Sequence, residues 1–121
     1  MKICITSQGT DLDALIDARF GRCQYFIVVD TDTLEFESIP NPNINGTGGA
    51  GIQSGQLMNE KQVKAVITGN VGPNAFQTLK AGGIEVITGV SCSGREAVDK
   101  YRKGEFEAAE DPSVDSHFGV S

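Results

Sequence analysis

The stretch VKAVITGNVGPNAFQTLKAGGIEVIT, residues 63–88, decides the fold. VKAVIT (63–68) is a short apolar run bounded by glycine, the pattern of a buried strand. In PNAFQTLKAGG (73–83) the period changes. Pro73 suits a first helical position, Ala75, Phe76 and Leu79 share one face, and a glycine pair stops the helix. IEVIT (84–88) returns to strand. Two strands joined through a helix must run parallel, by a right-handed crossover.

The same reading extends outward. Downstream, SGREAVDKYRKG (93–104) opens with Ser93 and Glu96, a capping box, and closes at Gly104. Upstream, IQSGQLMNEKQ (52–62) reads as a helix in spite of Gly55. Three strands precede it. KICITS (2–7) sets Ile3 and Ile5 against Cys4, and QYFIVVD (24–30) is apolar on both faces and so central. LEFESI (34–39), reached through the turn TDT (31–33), alternates Leu34 and Phe36 with Glu35 and Glu37 and should be half-exposed. The order is β-β-β-α-β-α-β-α. It predicts an α/β fold: an antiparallel meander continued by parallel strands, giving a mixed five-stranded sheet with helices on its faces.

At 121 residues the chain is expected to be one domain, and its 15 glycines imply tight loops. Residues 104–121 hold five acids and no Lys or Arg, whereas the preceding 103 hold 11 acids against all 10 bases. A near-neutral body with an acidic tail offers no basic footprint for nucleic acid. The tail, 106–121, is expected to be solvated and flexible beyond a domain at 1–105, and His117 within it to be solvated too. With neither a leader-like nor a membrane-length apolar segment, a cytoplasmic protein without membrane contact is expected. Cys4, Cys23 and Cys92 form no C-x-x-C pair, which argues against a disulfide framework and a self-contained zinc site.

GTGGAG (46–51) matches the dinucleotide fingerprint G-x-G-x-x-G formally. Its context fails: Pro40 to Asn43 separate it from the strand, and the next strand ends in Thr68, Gly69 and Asn70 where a ribose-binding acid should stand. A NAD site is therefore not expected. The glycines serve either an anion at a helix N-terminus or simply positive φ angles. The strand order gathers residues 8–23, the glycine loop, GNVGP (69–73) and VSCSG (90–94) at the carboxyl edge of the sheet, where open α/β sheets bind ligands. That edge collects Arg19, Arg22, Arg95, two or three helix starts, and the thiols of Cys23 and Cys92. A thiol beside arginines or at a helix start is the better metal ligand or nucleophile. Cys4, in mid-strand, should be core.

At ARFGRCQYF (18–26), NGTGGAG (45–51) and AVITGNVGPNAFQTLKAGGIEVI (65–87) the chain resembles the dinitrogenase iron–molybdenum cofactor biosynthesis proteins, the NifX, NifB C-terminal and NafY-like domain. The resemblance runs from residue 1 to about 105. It implies a three-layer α/β/α, ribonuclease H-like fold. It also implies a non-enzymatic metal-cluster carrier or assembly accessory that holds an anionic iron–sulfur or iron–molybdenum cofactor precursor and meets a cofactor-assembly or client protein. Where many relatives have histidine before the F-G-R motif, this chain has Arg19. The expected binding residues are Arg19, Phe20, Gly21, Arg22, Gly46, Gly48, Gly49, Gly51, Asn70, Gly72 and Pro73, with Cys23 and Cys92 on the metal. Such precursors are anionic and take thiolate ligands, which suits that edge. Two alternatives use the same fold. One is a binding module for a small anionic metabolite without metal. The other is a ribonuclease H-like nuclease, disfavoured because KICITS carries no carboxylate for a metal.

Overall fold

The computed structural model describes residues 1–42 and 50–112. The element order is the expected one: β1 (Lys2–Ser7), β2 (Tyr25–Asp30), β3 (Phe36–Pro40), α1 (Ala50–Glu60), β4 (Ala65–Ile67), α2 (Pro73–Ala81), β5 (Glu85–Ile87) and α3 (Gly94–Arg102). The strands form one mixed sheet in the order β3-β2-β1-β4-β5. β2 is antiparallel to both β1 and β3, while β1, β4 and β5 run parallel.

Side-chain alternation then builds three layers. Cys4, Phe26, Val28, Val66 and Val86 face α1 and α2, meeting Met58, Phe76 and Leu79. Ile3, Ile5, Ile27, Val29, Ile67 and Ile87 face the other way, toward Ala97 and Val98 of α3 and toward Leu12 and Ile16. Full burial of each Val, Leu, Ile, Phe or Met side chain contributes about 1.5–3 kcal/mol, so these two cores, rather than intrinsic propensity, hold the short strands.

The helix ends follow local chemistry. α2 begins at Pro73 and stops at Gly82, with Gly83 at φ 74°. Ser93 caps α3, its hydroxyl accepting from the Glu96 N–H at 3.2 Å.

Three of the boundaries that differ from expectation have a clear local cause. β3 starts at Phe36 because Leu34, at φ 64°, belongs to the hairpin loop, where its N–H donates to the Asp30 carbonyl at 2.8 Å. α1 starts at Ala50, so Gly51 lies inside the helix. Its glycines answer to packing: a Cβ on Gly51 would lie 3.0 Å from that of Ala75, and one on Gly55 would lie 2.7 Å from Thr78 Cγ2. The third is at the tail. Phe106 packs on the α3-side core, Ala109 packs on the opposite core, and the Ala109 N–H donates to the Val86 carbonyl of β5 at 2.7 Å. Contacts with the body thus continue past residue 105, astride the edge of β5. Val114, His117 and Phe118 lie outside the described residues.

Candidate functional site at the carboxyl edge

β1, β3, β4 and β5 end, and β2 begins, at one edge of the sheet. The chain from Gln8 to Gln24 lies over that edge and is tied down by backbone bonds. Asp17 N–H donates to Thr6 O (2.9 Å), Ile16 N–H to Cys92 O (2.9 Å) and Phe20 N–H to Asn70 O (3.1 Å). Asn70 N–H donates in return to Ala18 O at 2.7 Å. This crossing demands glycine at the neighbouring position, because a Cβ on Gly69 would come within 2.8 Å of the Ala18 backbone.

Within this segment, Arg19 is exposed and makes no ion pair among the described residues. Arg22 and Gly21 are half-buried. Phe20 is an anchor: it is 2% exposed, and its ring meets that of Phe26 at 5.7 Å between centroids. Gly72 and Pro73 start α2 with no side-chain cap and no acid in the first turn. Pro73 has no N–H to offer, and the N–H groups of Asn74 and Ala75 find no acceptor among the described residues. α3 is different. Its Gly94 and Arg95 N–H groups donate to Ala14 O (3.0 Å) and Leu12 O (2.7 Å), and Ser93 holds that of Glu96. The helix starts expected at this edge are therefore not equivalent. A polar cleft of about 390 Å³ lies at the far end of the sheet, lined by Asn59, Gln62 to Lys64, Gly82 and Gly83, and is remote from these groups.

A model of the dinitrogenase iron–molybdenum cofactor family matches residues 1–104. The chain belongs to that family. It is 33% identical over 98 residues to an uncharacterised protein of Methanocaldococcus jannaschii, covering 78% of this chain and 83% of the relative. Among solved structures, the apo orange protein of Desulfovibrio gigas superimposes with a TM-score of 0.90 at 36% identity, over 93% of this chain and 96% of that one. A candidate NifB protein of Thermotoga, solved by NMR, gives 0.74 at 36% identity, over 88% and 91% of the two chains.

Within this dinitrogenase-cofactor family member the two expected metal thiols belong to different cores. Cys23, expected on the metal, is 0% exposed, on the α1/α2 side with Cys4, Phe20 and Val71. Burial pushes its thiol well above the usual range, the proximity of Cys4 and Asp17 adds to this, and Arg19 offsets only a little. Burial does the same to Cys4, the expected core thiol. Cys92 is half-buried and packs on the α3 side, so the sheet lies between it and Cys23. No group of three or more His, Cys, Asp or Glu able to hold a metal occurs among the described residues. No described helix is long and apolar enough to cross a membrane. Gly46, Gly48 and Gly49 lie outside the described residues.

The sequence reading passed over two buried polar residues here. Asp17, 5% exposed, accepts from Arg19 N–H (3.2 Å) and Gln24 N–H (3.1 Å). Asn41, also 5% exposed, donates through Nδ2 to Gly21 O (3.1 Å) and Cys23 O (2.9 Å). An aspartate two residues before Arg19 is a known turn former and was the available signal. Asn41, between two prolines, gave none.

Proposed function

We propose that this protein is a non-enzymatic carrier or assembly accessory that holds an anionic iron–sulfur species, of the iron–molybdenum-precursor kind, at the α2 side of the carboxyl edge. The observation that carries the reading is the start of α2: uncapped, free of acid, and beside the arginine-bearing segment 18–23. Helix N–H groups with no acceptor among the described residues, together with guanidinium charge, favour an anion without fixing it covalently, as a carrier that releases cargo requires. Family membership supports this class of anion. Arg19 and Arg22 supply charge, Asn70, Gly72 and Pro73 frame the helix start, and Gly21 allows close approach. Phe20 and Gly51 shape the site from within. A client or assembly protein receives the cargo. Of the thiols, Cys92 is the accessible one; Cys23 ligates iron only if the segment 18–23 moves.

A second reading has its own support. The buried Cys23 and the scattered acids suit a small anionic metabolite held by backbone and arginine without metal. Asp17 is spent on backbone amides and Asp13 pairs with Arg95 at 3.0 Å, which weighs against a metal-dependent nuclease. The test is anaerobic reconstitution with ferrous iron and sulfide, with iron measured per chain in wild type and in Cys4→Ser, Cys23→Ser and Cys92→Ser proteins of verified fold. Iron uptake reduced in the Arg19→Ala, Arg22→Ala double variant supports the carrier reading. No uptake by wild type leaves the metabolite reading in its place.

A further inference from the structure

We infer that Asn41 and Asp17 are positioning residues that set the Arg19–Cys23 segment for anion capture; this rests on the carrier reading above. Carbonyl oxygens near an anion repel it, so a backbone segment that receives one must turn its carbonyls away. Asn41 does this for two of them. Its Nδ2 takes Gly21 O at 3.1 Å and Cys23 O at 2.9 Å, beneath the surface. The carbonyl and N–H of a trans peptide point in opposite directions, so fixing Gly21 O also directs the Arg22 N–H away from Asn41.

Asp17 completes the grip. One carboxylate oxygen holds Arg19 N–H (3.2 Å) and the other Gln24 N–H (3.1 Å), at the two ends of the segment. The peptide between Cys23 and Gln24 is thereby held on both sides, its oxygen by Asn41 and its N–H by Asp17. Asp17 is itself fixed: its carbonyl accepts from Thr6 Oγ1 at 2.8 Å, and Thr6 Oγ1 lies 2.8 Å from Thr68 Oγ1. The segment is thus referenced to the ends of both β1 and β4. Burying a carboxylate and an amide is costly unless their bonds are made, and every bond named here falls on backbone of this one segment or its anchors. The Asn41 backbone N–H adds a further tie, donating to Gln24 O at 3.1 Å.

Isosteric variants separate positioning from packing. Asn41→Asp replaces a donor with an acceptor facing two carbonyls, and Asp17→Asn places an amide donor against backbone donors, each at unchanged volume. The experiment reconstitutes wild type, both variants and Val98→Ala with ferrous iron and sulfide, then measures the half-time of iron loss to a chelator. Val98→Ala lowers stability from the opposite core and serves as the control of comparable melting temperature. The expected result is iron loss roughly tenfold faster in Asn41→Asp and Asp17→Asn, with Val98→Ala close to wild type. The Arg22 amide resonance should shift in the metal-free Asn41→Asp protein. Half-times equal to wild type in both isosteres overturn the inference alone. Faster loss in Val98→Ala to the same degree reduces the pair to a general stability effect and also overturns it. If wild type takes up no iron, the carrier reading fails first and the inference falls with it.

Discussion

α2 and α3 start at the same edge of the same sheet, yet they meet it differently. The first-turn N–H groups of α3 are consumed by Leu12 O, Ala14 O and the Ser93 hydroxyl. In α2 the N–H groups of Asn74 and Ala75, after Gly72 and Pro73, have no acceptor among the described residues. Capping residues and the over-lying chain thus fill one helix start, while among the described residues nothing fills the other. Motif reading treats them alike, because a capping box advertises a helix start and is silent on whether its donors are still free.

The largest effect should come from breaking the crossing that defines the α2 side. Gly69→Ala drives a Cβ into the Ala18 backbone at 2.8 Å, where neither partner can move easily. It should cost roughly 1–3 kcal/mol, at the upper end because the clash is with main chain, and should weaken iron uptake as well. Thermal melting beside iron analysis checks both. Melting unchanged by the substitution would mean that residues 18–20 do not cross Gly69 as described.

A smaller effect is expected at the margin of the sheet. Truncation after Gly104 removes Phe106 from the α3-side core and Ala109 from β5, and should cost about 1–2 kcal/mol with anion capture intact. Urea unfolding measures it. An unchanged midpoint would return residues 106–112 to the status of a free tail.

Smallest is the cap. Ser93→Ala frees the Glu96 N–H and should destabilise by about 1 kcal/mol, again without loss of binding, since the donors of α3 are not the ones in use. A binding loss exceeding the stability loss would put the ligand on the wrong helix in our account.

These expectations show which parts of the molecule were legible in its sequence. Sheet order, face alternation at Ile3, Cys4 and Ile5, and the limits of α2 and α3 followed from local period and punctuation. So did the convergence of residues 8–23, 69–73 and 90–94 on the carboxyl edge, which is a property of strand order. Details fixed by tertiary contact did not. Leu34 reads as a strand residue until the hairpin gives it a positive φ. Gly51 reads as a loop glycine until α2 is seen against it. Cys23 follows two arginines in sequence, yet the turn that exposes Arg19 buries the thiol beside Cys4. The donors of α3 are filled by backbone about 80 residues away, for which no local pattern exists.

The central claim is that the α2 start, and not the α3 start, receives the anion. It is tested most directly by amide resonances of the protein before and after anaerobic loading with ferrous iron and sulfide. The account predicts that Gly21, Arg22, Asn74 and Ala75 shift or broaden, while Gly94, Arg95 and Glu96 keep their positions. Changes centred on Gly94 to Glu96, with Asn74 and Ala75 unmoved in a loaded protein, would contradict it.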